Sequence, residues 1–162
     1  MSSDQNSIAQ LSPRAPWLPP RLVVRLAWVV HRAIYRATGG RCGLWPPKPG
    51  HWGTMRLATI GRRTGRERAA ILGYYEDGPN LVTLAMNGWA DGEPAWWLNL
   101  LANPDATVEV RGGGTRPVRG RAAEGEERAR LWAGWKDRGD DVDGYSTLRS
   151  TETAVVVLEP RP

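Results

Sequence analysis

The stretch from Leu57 to Arg68, reading Leu-Ala-Thr-Ile-Gly-Arg-Arg-Thr-Gly-Arg-Glu-Arg, limits the fold more than any other part of the chain. An apolar run stops at Gly61, where the missing Cβ lets the backbone turn and approach a ligand closely, and a second strand-like run starts at Arg68. Strand, tight turn, strand is the unit of an antiparallel sheet. The turn also carries chemistry. Thr64 offers a hydroxyl, Gly65 a second flexible backbone position, and Arg62, Arg63, Arg66 and Arg68 forked donors suited to phosphate or carboxylate. It is not a Walker A loop, which needs a longer glycine spacing followed by Lys-Ser/Thr, nor a dinucleotide fingerprint, which enters a helix. Two readings stand at this point: a solvated hairpin end and an anion grip.

The same punctuation recurs along the chain. Strands are expected at Met55 to Ile60, Arg68 to Glu76, Asn80 to Met86, Thr107 to Arg111, Thr115 to Ala122 and Ala154 to Glu159, with hairpin turns at Asp77-Gly78-Pro79-Asn80 and Gly112-Gly113-Gly114. Pro117 cannot donate to a ladder and so places its strand at an edge. The β-branched run before Glu159 suits a buried strand. Helices are expected over about Glu93 to Leu101, with Pro94 in the first turn and Asn103-Pro104 as the stop, and over about Gly125 to Arg138. Hairpins with helices inserted between them make an α+β protein whose sheet curls into a small barrel.

Before the sheet lie two other segments. Residues 1–20 read as a flexible tail, and residues 21–50 as a helix followed by a Gly/Pro linker, leaving 51–162 for the barrel. From Arg21 to Thr38, Leu22, Leu26, Val29, Val30 and Ala33 recur at helical spacing while Arg21, Arg25, Arg32 and Arg36 form one stripe. Arginine interrupts this helix too often for a bilayer span, which wants roughly 20 predominantly apolar residues. Its apolar side is expected either against its own domain or at an anionic membrane surface.

Charge divides the same way. Of 22 Arg and Lys, 12 fall in residues 1–72 beside two acids, and the other 10 share residues 73–162 with 15 acids. The basic half calls for an acidic partner: nucleic acid, an anionic membrane or a polyanionic cofactor. No nucleic-acid reading module is recognisable, so no nucleic-acid partner is expected. The single cysteine, Cys42, excludes an internal disulfide and fits a cytoplasmic protein; with only two histidines, His31 and His51, no metal site is expected.

Two further stretches carry candidate chemistry. In Ala85-Met86-Asn87-Gly88-Trp89 a strand ends in a bend, and Glu93-Pro94-Ala95-Trp96-Trp97-Leu98-Asn99-Leu100 follows. Small residues there leave room for a flat ring, while Trp96, Trp97 and Leu100 serve equally as core. Asp143-Gly144-Tyr145-Ser146-Thr147-Leu148-Arg149-Ser150 reads as a polar loop in which the Tyr145 hydroxyl is a candidate proton or hydrogen-bond donor, or an ordinary surface group. Ser146 sits in no nucleophile elbow and no carboxylate pair is evident. A chain poor in catalytic groups and rich in ligand-holding ones suits chemistry carried by a cofactor.

At three places the chain resembles the deazaflavin-dependent nitroreductase family, split β-barrel oxidoreductases that use reduced coenzyme F420. The resemblance is carried by Thr59-Ile60-Gly61-Arg62-Arg63-Thr64-Gly65 with Arg68, by Pro94-Ala95-Trp96-Trp97-Leu98-Asn99-Leu100 with Ala102-Asn103-Pro104, and by Val155-Val156-Val157-Leu158-Glu159-Pro160. It implies a split β-barrel with an N-terminal helix and helices inserted around the barrel. It also implies hydride transfer from the deazaflavin to an electrophilic small-molecule acceptor such as a quinone or nitroaromatic. By position, Arg62, Arg63, Thr64, Gly65 and Arg68 would hold the anionic cofactor tail, Ala85, Met86, Asn87 and Gly88 would border the ring, and Ala95, Trp96 and Asn99 would close the pocket. Tyr145 would be the catalytic candidate beside the acceptor. Better-known members carry a Lys or Ser-rich bend in place of Met86-Asn87-Gly88-Trp89, and more tyrosines than Tyr145 alone; Trp89 is expected to narrow the acceptor site. A non-catalytic carrier of lipid or cofactor on the same barrel is the competing expectation.

Overall fold

The computed structural model describes residues 20–38 and 43–162, and the tail expected over residues 1–20 lies almost wholly outside them. Helix α1 spans Arg21–Ala37. Strand β1 (Gly53–Ile60) leads through the basic turn into β2 (Glu67–Asp77), which a two-residue turn joins to β3 (Asn80–Leu84). Helix α2 (Ala95–Ala102), the β4 (Asp105–Val110) and β5 (Gly114–Ala122) hairpin, helices α3 (Gly125–Lys136) and α4 (Val142–Ser146), and strand β6 (Val155–Pro160) complete the chain.

All six strands pair antiparallel in the closed order β1-β2-β3-β6-β5-β4. Closure removes every sheet edge, and this corrects the edge position expected from Pro117. Pro117 lies opposite Thr107 in β4, while the pairing with β6 begins one residue later, at Val118 opposite Pro160. Its carbonyl still accepts from Arg161 N at 3.1 Å, so the missing N–H falls where the β6 ladder runs out. The other departures are local. Pro94 caps α2 rather than opening its first turn. The loop expected around Tyr145 contains the short helix α4, started by the Asp141 carboxylate accepting from Gly144 N at 3.0 Å.

Alternation along the strands builds two cores. Tyr74, Leu81, Val156 and Leu158 point into the barrel with Met55, Leu57 and Val108, and α2 seals this core with Trp96, Trp97 and Leu100. Their neighbours Tyr75, Val82, Val155 and Val157 point outward and are covered by Leu131 and Trp135 of α3 and Val142 of α4. Strand β6 is apolar on both faces because both are buried. The approach of α2 depends on Gly120, where a Cβ would stand 2.8 Å from Leu100 Cδ1.

On α1, Leu22, Val23, Leu26, Val29, Val30 and Ile34 are all exposed, so these described apolar side chains are not packed on the barrel. The side chains of Arg21, Arg25, Arg32 and Arg36, the basic stripe, lie outside the described residues. No described helix is long and apolar enough to cross a membrane.

Candidate functional site

The basic turn between β1 and β2 is built by its own backbone. Gly61 N donates to Arg66 O at 2.8 Å, and Thr64 N and Gly65 N return to Gly61 O at 3.2 and 2.7 Å. Gly61 has to be glycine for reasons of space: a Cβ would lie 2.9 Å from Arg66 O and 3.2 Å from Thr64 Oγ1. Gly65, at φ 65°, takes the left-handed conformation that closes the turn.

Helix α2 holds this turn through one buried side chain. Asn99 accepts from Arg62 N at 3.1 Å and donates to Thr59 Oγ1 at 3.1 Å, and that hydroxyl donates on to Arg68 O at 3.3 Å. Asn99 and Thr59 are 4 % and 1 % exposed, so the relay is shielded from water and ties both ends of the turn to the helix. Sequence reasoning placed Asn99 at the pocket; its grip on the turn comes from the tertiary fold.

Turn and helix enclose a cleft of about 350 Å³ lined by Gly61, Arg62, Arg63, Thr64, Arg68, Ala69, Ala70, Ala95, Trp96 and Asn99. Volume of that order is at the small end for ligand sites, room for part of a long molecule. One wall is small and apolar and the rim is cationic. Arg56, Arg121, Arg128, Arg130 and Arg161 each meet a carboxylate, whereas among the described residues Arg62, Arg63, Arg66 and Arg68 meet none. Arg62, Arg63 and Arg68 line the cleft, and guanidinium groups without a carboxylate partner favour an anion there. None of the lining residues is an Asp, Glu, His, Cys, Lys or Tyr, so the walls supply no general acid or base.

The model of the F420H(2)-dependent quinone reductase family matches residues 28–160. The chain belongs to that family. An F420H(2)-dependent quinone reductase of Mycobacterium tuberculosis (strain ATCC 25618 / H37Rv) is 34 % identical over 150 residues, covering 90 % of this chain and 97 % of the relative. Among solved structures, an F420-H2 dependent reductase, FDR-A, matches with a TM-score of 0.59 at 26 % identity, over 65 % of this chain and 93 % of that one. The heme storage protein HutZ of Vibrio cholerae shares the fold alone, at a TM-score of 0.51 and 18 % identity over 67 % of this chain and 82 % of that one.

For this member of the quinone reductase family, the cleft gathers Arg62, Arg63, Thr64, Arg68, Ala95, Trp96 and Asn99 from the expected site, and adds Ala69 and Ala70. Gly65 shapes the turn without lining the cleft. Ala85 is fully buried in the barrel core; its N–H donates to Ala154 O at 2.9 Å and its carbonyl accepts from Arg149, so neither group is open to a ligand. Met86 packs toward the outer core. The Asn87 amide is engaged by Asp91 O and Gly92 O at 3.1 and 3.2 Å, and Gly88 sits in the middle of a left-handed turn. Tyr145 stacks on Trp89 with ring centroids 5.6 Å apart and planes 18° from parallel. Arg149, quoted only as part of a polar loop, has a fully buried side chain that reaches this bend.

Proposed function

We propose that this chain is an oxidoreductase that takes reduced coenzyme F420 as its hydride donor and a quinone-type small molecule, or a nitroaromatic, as its acceptor. The observation that carries the reading is the set of three unpaired arginines, Arg62, Arg63 and Arg68, that line a ring-sized cleft beside the turn held by Asn99. These residues fit the coenzyme's parts: cation forks for its phosphate and carboxylates, and small side chains at Ala69, Ala70 and Ala95 beside Trp96 for a flat ring. When bound, the deazaflavin supplies the hydride, which suits walls without an acid or base. Arg62, Arg63, Arg68 and Thr64 bind and orient the anionic end, Asn99 keeps that turn preorganised, and Trp96 excludes water from one wall. Tyr145, stacked on the Trp89 ring, is the hydroxyl we assign to the acceptor, as hydrogen-bond or proton donor.

Titration of the purified protein with the coenzyme, followed by its fluorescence, tests the reading. Binding should be saturable, weaken by about tenfold or more in R62A/R68A, and fall with salt. Binding that is absent, or unchanged in the double variant, refutes it. Walls without a general acid also suit a carrier that binds the same ligand without reacting; turnover of a quinone by the loaded protein separates the two.

The exposed apolar residues of α1 support a peripheral contact with an anionic membrane, where the acceptor would be an apolar quinone. Deleting residues 1–38 should abolish co-flotation with anionic liposomes, and equal flotation of both forms sinks this part.

A further inference from the structure

Between β3 and α2 the chain runs through a strap, Ala85 to Glu93, that holds three successive left-handed residues: Asn87 at φ 48°, Gly88 at 61° and Trp89 at 60°. Glycine takes this conformation freely and asparagine tolerates it, but a bulky tryptophan there is an outlier that persists only where surrounding contacts over-determine it. Those contacts come from the segment around α4. Trp89 stacks on Tyr145, and Ser150 N donates to Asp91 Oδ1 at 2.6 Å.

At the centre is Arg149, with no exposed side-chain surface. Its Nη1 donates to the Ala85 carbonyl where β3 ends, and its Nη2 faces Gly92 O at 3.2 Å, Glu93 Oε1 at 3.3 Å and Thr151 Oγ1 at 3.4 Å. One guanidinium therefore touches both ends of the strap. Glu93 is followed by the Pro94 cap and by Ala95 and Trp96, which line the cleft. Burying the Arg149 guanidinium costs desolvation that a half-buried Glu93 only partly offsets, so what this contact secures is position. Lysine replaces Arg149 poorly: its donors radiate from a single nitrogen on a shorter side chain, whereas the planar fork offers Nη1 to one end of the strap and Nη2 to the other.

We propose that Arg149 is a positioning residue: by pinning both ends of the strap it fixes the left-handed turn at Asn87 to Trp89 against Tyr145. It acts through the strap and touches neither the arginine turn nor its anion. That the strap serves the acceptor end rests on the oxidoreductase reading; that Arg149 orders the strap does not.

Amide hydrogen exchange without coenzyme, on the wild type, R149K and R149M, tests the ordering directly. The expected result is exchange faster by about tenfold or more at Trp89, Ala90 and Ser150 in both variants, with the amides of β1 and β4 unchanged, and loss of the near-ultraviolet circular dichroism of the Trp89–Tyr145 stack. Strap amides that exchange as in the wild type in R149K overturn the proposal. So does a parallel acceleration of all amides, which marks a residue that only stabilises the fold. With reduced coenzyme, both variants should keep the coenzyme Kd within about threefold while kcat/KM for a soluble benzoquinone falls about tenfold or more, chiefly through KM. Equal losses in both quantities also overturn it. Failure of the wild type to bind coenzyme ends the oxidoreductase reading and leaves hydrogen exchange to decide the role of Arg149.

Discussion

Asn99→Ala removes the one side chain that joins α2 to the basic turn. The variant deletes the bonds to Arg62 N and Thr59 Oγ1, both at 3.1 Å, at a site 4 % exposed. Each bond contributes about 1 kcal/mol net, and the cavity left at a buried position adds to it, for a total of roughly 2–4 kcal/mol. For a chain of this length that lowers Tm by roughly 6–12 °C. The turn also loses its preorganisation, so coenzyme F420 affinity should fall by about tenfold or more, or about 1.4 kcal/mol. Asn99→Asp separates the two effects: its carboxylate still accepts from Arg62 N–H, but it places a negative charge beside Arg62, Arg63 and Arg68 and should weaken anion binding more than Asn99→Ala does. Differential scanning calorimetry and fluorescence titration of both variants are the assay. Asn99→Ala melting within about 2 °C of the wild type, with unchanged coenzyme affinity, would refute the reasoning.

Gly61→Ala should open the turn, because its Cβ would meet Arg66 O at 2.9 Å; a loss of roughly 1–3 kcal/mol in urea denaturation and weaker coenzyme binding are expected. Burial pushes the Tyr75 phenol from 10.0 up to about 12, with Arg138 opposing the shift. The unfolded chain therefore ionises first: the contribution is complete below pH 10 and disappears as pH rises toward about 12, a loss of roughly 2–3 kcal/mol. Tyr75→Phe should flatten that slope in denaturation curves taken across this window, at a cost of about 1 kcal/mol for the 2.8 Å bond to Leu131 O. Tyr74, raised in the same direction by burial, keeps part of the slope in the variant.

The strands were legible because their signals are local: period-two alternation, glycine at the turns and β-branched residues in β6. Helix α4 was hidden because glycine at position 144 breaks its pattern and a single Asp141 side chain starts it. Pro117 misled for a related reason. Its lost donor is a local fact, but whether that donor faces a partner depends on where β6 ends, and β6 lies far along the chain. The basic turn taken alone favoured a solvated hairpin end, and only the family motifs made it an anion grip; that Asn99 and Trp96 pack beside it is a fact of the fold. In Ala85 the order was reversed: position along the chain put it beside a ring, and packing buried it.

By itself the sequence determined the antiparallel α+β plan, the family motifs and the chemical character of the site, since residue type and spacing along one segment are enough for each. Only the tertiary structure decided which groups meet. Asn99 reaches Arg62 across 37 residues, and Arg149 reaches Ala85 across 64. Contacts at such separations are set by barrel closure and helix packing, which no local pattern of amino acids encodes.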